Sequence, residues 1–341
     1  MDIQSFFAMW TFEPTVIIGL VVAAFLYWWG ARYSIRRGLA RHLRWWRAAC
    51  FAGGLLVIFL ALESPIDAYS DQYLWTHMLQ HELLTLVAPP LLLLGEPAWP
   101  MWRAFPPSWR RAFLRWAIRR RWPRSLGETV GHWLSTPWLV WILFIGVFDG
   151  WHLPVLYEAT LENDTIHVLE HIMFLATATL FWAQVIPSRP LEPRLGFFKR
   201  AVFLSLAALQ GDFFGLFFLF ASTPIYQHYA QLPRTPSMIT ATEDVHYAGG
   251  VMDMFDTFIL ASTIMVMLGL WLLAEEAATK AHDAMVREQR QALANSRQTG
   301  LETSGRVVAS PSAQVSAPPA GGQITPISTA RSQARPMGEA S

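Results

Sequence analysis

The sequence predicts an all-α polytopic membrane protein: a bundle of about seven transmembrane helices with the N-terminus outside and the C-terminus in the cytoplasm. Three observations carry this reading. Of 341 residues, 53% are hydrophobic and only 15% charged, with 17 Trp and 22 Phe, a composition far more apolar and aromatic than a soluble domain carries. Seven apolar runs approach the roughly 20 residues that a helical span needs. The basic residues, 24 of 26 being arginine, cluster in alternate connections between those runs.

The runs are Pro14–Gly30, Ala48–Glu63, Tyr73–Gly95, Pro137–Tyr157, Ile166–Ile186, Ala201–Ala221 and Tyr247–Ala274. Only helices and closed barrels satisfy backbone polar groups in lipid, and these runs are too long for barrel strands. After span 1 come Arg32, Arg36, Arg37, Arg41, Arg44 and Arg47; after span 3 come Arg103, Arg110, Arg111, Arg115, Arg119, Arg120, Arg121 and Arg124. The connection after span 5 adds Arg189, Arg194, Lys199 and Arg200, whereas those after spans 2, 4 and 6 hold only Arg234. The positive-inside rule places the arginine-rich connections in the cytoplasm. No basic region precedes the first apolar run, so no cleaved secretory signal is expected.

Three regions follow: a transmembrane domain over 1–274, a polar cytoplasmic helical extension over 275–295, and a tail over 296–341 whose Ser, Ala, Pro, Gly and Gln content predicts disorder. Within Pro107–Arg121, Trp109, Phe113 and Trp116 recur at helical spacing among arginines. That pattern suits a helix lying on an anionic lipid surface, or equally a basic topology determinant with incidental aromatics. A single cysteine, Cys50, excludes a disulfide framework or a CxxC thiolate site.

Histidine sorts by side on this topology. His42, His132 and His282 fall in cytoplasmic segments, and the other seven at outer span ends or in outer loops. The pattern HxxxH occurs twice, as His77 and His81 opening span 3 and His167 and His171 opening span 5. Each pair lies one turn apart on one helix face, both at the same depth. Four imidazoles from two helices suit Cu, Zn, Fe or Ni; the bland alternative is interfacial histidines bonded to carbonyls and water.

Other polar groups reach the same layer. Asp149 and His152 stand near the outer end of span 4, and His246 and Asp253 on one face of span 7, while Glu82 and Glu170 adjoin histidines as candidate partners for the non-coordinating ring nitrogens. Met78, Met173, Met238, Met252 and Met254 lie nearby; thioethers favour Cu(I) but also fill cores, and Met252 is the one to watch because it follows the Gly249–Gly250 pair. Deeper, Gln210 and Asp212 sit mid-span, where a carboxylate is expensive, with Asp256 a candidate partner. Pro89–Pro90 predicts a kink or break in span 3.

The blocks HMLQHELLTLVAPPLLLLGEP, WHLPVLYEATLENDTIHVLEHIMFLATATLFW, TPIYQHY and DVHYAGGVMD together resemble the multi-spanning CtaG family of cytochrome c oxidase assembly factors, over about Phe51 to Leu273. The resemblance implies a bacterial plasma-membrane protein that assists maturation of a haem-copper oxidase by handling copper on the outer face. His77, His81, His167 and His171 match the family's paired-histidine motifs. It implies oxidase subunits or copper-delivery proteins as partners, besides membrane lipid, with no nucleic acid and no catalysis of its own. Where the family reads D-Q-x-x-A-G-G-x-M-W, this chain carries Asp244-Val245-His246 and Met252-Asp253, losing the Gln and gaining a histidine and an aspartate.

Two other classes of function compete. A histidine-ligated oxidoreductase of the di-iron membrane type expects adjacent HH pairs facing the cytoplasm, which are absent here; a bis-histidine haem protein is its second form. A copper or proton transporter would use Gln210, Asp212 and Asp256 as an inward path, but no inner-face ligand cluster is evident to receive the ion.

Overall fold

The computed structural model describes residues 10–39, 43–119, 133, 136–190, 192–234 and 239–308. Arg41, His42, Arg120, Arg121, Arg124, His132, Met238 and the tail beyond Val308 lie outside the described residues. Among the described residues there is no β-strand. Among the same residues five helices are long and apolar enough to cross a membrane, or up to seven if each of two bent pairs counts as one span. This is the polytopic helical bundle that the apolar runs predict.

Spans 1 and 2 are single helices, α1 (Pro14–Arg36) and α2 (Trp45–Glu63), and the short α3 (Pro65–Ser70) leads into span 3. Span 3 is composite. It comprises α4 (Leu74–Glu82), a π-helical turn over Leu83–Val87 and α5 (Ala88–Leu94). The chain then bends by 67° into α6 (Ala98–Ala104), followed by α7 (Pro107–Arg119).

The Pro89–Pro90 break predicted from the sequence is therefore displaced. The helix carries on through both prolines and turns only after Leu94. The reason is local and tertiary together. Pro89 has no N–H to give to the carbonyl four residues before it, that of Thr85; Trp182 Nε1 donates to that carbonyl instead, at 3.0 Å. The wider π turn just upstream absorbs the remaining misfit.

Span 4 is α8 (Pro137–Trp151), which bends by 67° into α9 (Pro154–Glu162), so it ends earlier than the apolar run through Tyr157 suggests. Pro154 explains the boundary, because the residue before a proline is disfavoured in helical conformation. Span 5 is α10 (Asp164–Ala183) and span 6 is α11 (Phe197–Leu219). The short α12 (Gln227–Gln231) lies in the connection to span 7. Span 7 starts as α13 (Ala241–Phe255), passes a second π turn over Asp256–Ala261 and continues as α14 (Ser262–Val308).

The chain divides into two compact units, 1–277 and 278–341. In its described part the second is helical, and the helix runs past Ser296, where the composition suggests that disorder begins, through Val308.

Large apolar side chains such as Ile18, Phe25, Ile142, Leu209 and Phe213 are exposed, as lipid-facing positions should be. Small residues let helices close up. A Cβ on Gly249 of α13 would stand 2.5 Å from the Gly215 carbonyl oxygen of α11, a contact that only glycine permits there. On α7, Trp109, Phe113 and Trp116 are exposed, in keeping with the aromatic stripe read from the sequence.

The bundle is chemically polar along its axis. At one end of α1, Glu13 and Thr15 share a cavity with Asp67, Asp71, Asp164 and His167. At the other, Ser34 shares one with Arg47, Arg103 and Arg189. A helix of this length separates the two ends by about 34 Å. His167, His171 and four carboxylates thus line the cavity at one end, and three arginines, with Glu96, line the cavity at the other.

Candidate metal centre

Two helix starts build the site, and both are pinned by side-chain caps. Helix α10 opens on Asn163, whose Oδ1 accepts from the N–H groups of Thr165 and Ile166, relieving donors that a helix start otherwise leaves open. His167, Glu170 and His171 then stand at i, i+3 and i+4 on one face. Helix α4 has no cap of its own at Tyr73. Asp244 of α13 supplies it, accepting from Leu74 N and Trp75 N at 3.1 Å each, with its charge met by Arg234 Nη2 at 2.8 Å.

The two faces meet. Ligand atoms of His77, His81, Glu170 and His171 all lie within 4.8 Å of one another, and every one of these side chains is buried or nearly so. Glu170 Oε2 is 3.6 Å from His81 Nε2 and 3.9 Å from His77 Nε2, too far for normal hydrogen bonds. His77 Nε2, both nitrogens of His81, His171 Nε2 and both oxygens of Glu170 have no hydrogen-bond partner. Buried polar atoms are almost always partnered, so this concentration at one point is the mark of a group that a cation would satisfy. A tetrahedral site with bonds of about 2.1 Å keeps its donors about 3.4 Å apart.

The surroundings set the ring tautomers. Tyr229 has a single hydroxyl proton, which it donates to the Ser70 carbonyl at 2.6 Å. The 3.1 Å contact between His77 Nδ1 and the same oxygen is therefore a donation by His77. That leaves the His77 Nε2 lone pair facing the cluster. His152 is fixed alike: its Nδ1 donates to the Phe148 carbonyl at 2.7 Å, and its Nε2 faces Met78 Sδ at 3.3 Å. Neither of those atoms has a proton to share, so two lone pairs face each other, with the His152 ring centroid 5.4 Å from that of His81.

The remaining residues singled out from the sequence divide as follows. His167 borders the cluster, its ring centroid 4.3 Å from His171 and 5.1 Å from His77, with Nε2 unpartnered. His246 stands apart from it: its Nε2 contacts the Ala221 carbonyl at 2.9 Å. Met252 is buried among Leu74, Phe148, Phe218 and Val245 as core. Asp149 accepts from Gln210 Nε2 at 2.6 Å. Asp253 packs against the Gly215 backbone, and neither aspartate belongs to the cluster.

Glu82 turns away, one position past His81, and lines a small buried cavity with Asp256; Asp256 itself abuts Gly211, where a Cβ would collide with it. Asp256 thus faces Glu82 and Gly211. The tyrosines behind the site, Tyr157 and Tyr229, fall within the quoted blocks, but nothing in those blocks gives either of them a role. Glu170, which the sequence offers as a partner for a non-coordinating ring nitrogen, stands instead among the ligand atoms, because its place at i+3 from His167 sets it on the histidine face, whereas no position on that face falls to Glu82.

A family model described as cytochrome c oxidase caa3 assembly factor matches residues 25–274. The chain belongs to that family. All the described site residues fall within the matched region. Among curated proteins, this caa3 assembly factor family member is similar to an uncharacterized protein of Mycobacterium leprae (strain TN), 22% identical over 85% of this chain and 43% of the relative. Uncharacterized proteins of Mycobacterium bovis and Mycobacterium tuberculosis are each 24% identical over 71% of this chain and 36% of the relative. The chain spans less than half the length of these curated relatives. No solved structure matches it.

Proposed function

We infer that this member of the caa3 assembly factor family binds copper as cargo between α4 and α10 and assists maturation of the copper centre of a haem-copper cytochrome c oxidase. The observation that carries the reading is the set of unpartnered ligand atoms of His77, His81, Glu170 and His171 within 4.8 Å. Three imidazoles and a carboxylate fit a borderline divalent ion. The neighbouring His152 and Met78 pair adds an imidazole nitrogen and a thioether against His81, which favours copper over zinc.

Release is built into the same set. The donors are neutral imidazoles and one carboxylate rather than thiolates, and the described cavity at this end reaches His167 and His171, so a partner's ligands have an approach. The chain acts as a carrier and not a catalyst in this reading. Its partners are oxidase subunits or copper-delivery proteins. The arginine-rich end faces the cytoplasm by the positive-inside rule, which turns the histidine end outward, toward the side where an exposed copper centre is loaded.

Metal analysis tests it. Purified protein loaded with copper and washed should retain about one equivalent per chain, and the variant with His77, His81, His167 and His171 all changed to Ala should retain none. Equal metal in both ends the reading, as does unchanged oxidase copper content in a strain carrying His77→Ala and His171→Ala.

A further inference from the structure

Beside the histidine cluster lies a cavity of about 700 Å³ whose walls carry Glu13, Asp67, Asp71 and Asp164, and whose inner wall includes His167 and His171. The carboxylates come from four separate elements: the cap of α1, α3, the turn after α3, and the first residue of α10. No arginine or lysine is among the described residues lining it. His171 is 9% exposed, and the Nε2 atoms of both histidines are buried without a partner. Acidic walls end on open nitrogen ligands.

We propose that this cavity is the entry chamber of the site, through which a metal cation is drawn from solvent to His167 and passed on to His171. The proposal rests on the metal-binding reading above. A cleft lined by one sign of charge with low-dielectric walls concentrates counter-ions and raises association rates by 10- to 1,000-fold. The lower lining, Val168, Ile172 and Leu175 among it, supplies such walls. His167 gains a distinct role: it lines the chamber beside His171, its ring 4.3 Å away and outside the set of four, as a first acceptor rather than a permanent ligand. Asp67 differs from the other three carboxylates, because it accepts from Gln80 Nε2 and Thr11 Oγ1 and so also shapes the chamber floor.

Stopped-flow binding to the detergent-solubilised full chain tests this, with Cu²⁺ and, separately, Ag⁺ as a redox-inert soft probe, read by tryptophan quenching. Neutralising Glu13→Gln, Asp71→Asn and Asp164→Asn together should lower the association rate ~10-fold and flatten its dependence on salt, with the dissociation rate unchanged. Val168→Trp, which narrows the chamber, should slow association and dissociation alike and leave the equilibrium constant in place. Glu162→Gln, outside the chamber lining, should do neither. Association rates equal to wild type in both chamber variants would overturn the proposal while leaving the metal site standing. Wild-type protein that binds neither ion would remove the metal site and the chamber with it.

Discussion

His77 and Tyr229 are joined by one hydrogen bond whose direction is forced, since the phenol proton is committed to the Ser70 carbonyl and His77 Nδ1 must donate. A residue between spans 6 and 7 thereby sets the tautomer of a residue in span 3. The Nε2 lone pair of His77 is presented to the cluster before any ion arrives. Such outer partners typically account for 10- to 100-fold in metal affinity.

Tyr229→Phe removes that partner and keeps the ring. Copper affinity, measured by competition with a chromophoric chelator, should fall by about 10- to 100-fold, with helical content unchanged by circular dichroism. Unaltered affinity would mean that the phenol does not orient the ligand.

Glu170→Gln should push two observables in opposite directions. Glu170 is fully buried with its only ion-pair neighbours, among the described residues, being His77 and His81 beyond hydrogen-bonding distance. Removing an uncompensated buried charge should stabilise the metal-free protein, by about 1–3 kcal/mol. Copper affinity should nevertheless drop by at least ~10-fold, because the amide offers no charge to the ion. A thermal melt of the metal-free protein and a copper titration of the same samples check both signs; a loss of stability in the metal-free state would refute the account of Glu170 as a waiting ligand.

Much of this site was readable in advance, and what was missed has physical causes. The HxxxH pairs are local, so helical spacing alone places both histidines of each pair on one face, and the composition of the spans places them in the membrane. Glu170's place on that face was readable by the same spacing, though not its place among the ligand atoms, since the sequence offers it as a partner for a non-coordinating ring nitrogen. Asp244 was not, because its role as the cap of α4 joins residues 170 positions apart. Tyr157 closes the apolar run of span 4 and Tyr229 lies on a short helix outside the runs, and nothing local announces that they meet each other behind His77. His246 shows the opposite error. It lies at the right depth, but its ring is turned to the Ala221 carbonyl, and depth without rotation about the helix axis does not make a ligand.

Asp244, which the chain shares with the family pattern, ties the start of span 7 to the stability of the site. Its carboxylate, fully buried, accepts from Leu74 N and Trp75 N and pairs with Arg234. Asp244→Ala leaves two helix N–H groups without a partner and strips the largely buried Arg234 guanidinium of its counter-charge, leaving it only the Ile239 and Tyr229 carbonyls, and should cost about 3–5 kcal/mol. Arg234→Ala should cost less than Asp244→Ala, because the carboxylate keeps its two backbone donors. The double variant should be less damaging than the sum of the two, as a melting series in detergent would measure; strict additivity would show that the pair is not coupled.

Trp182 and Pro89 form a second compensated pair, and a double-mutant cycle isolates it. Trp182→Phe keeps most of the ring packing and removes the donor from the buried Thr85 carbonyl, which should cost about 1–3 kcal/mol. Pro89→Ala restores a backbone N–H at the position that serves that carbonyl in a regular α-helix. In the Pro89→Ala background the Trp182→Phe penalty should therefore shrink by at least about 1 kcal/mol, read from thermal or denaturant unfolding of the purified chain. The coupling has a functional consequence too, because Trp182 lies on α10, the helix of Glu170 and His171, and Thr85 lies one turn beyond His81 on span 3. The bond fastens together the two helices that carry the cluster, and Trp182→Phe alone should loosen copper binding along with the fold. If copper affinity stays at the wild-type value while stability falls, the bond serves the proline in span 3 and has no part in holding the site.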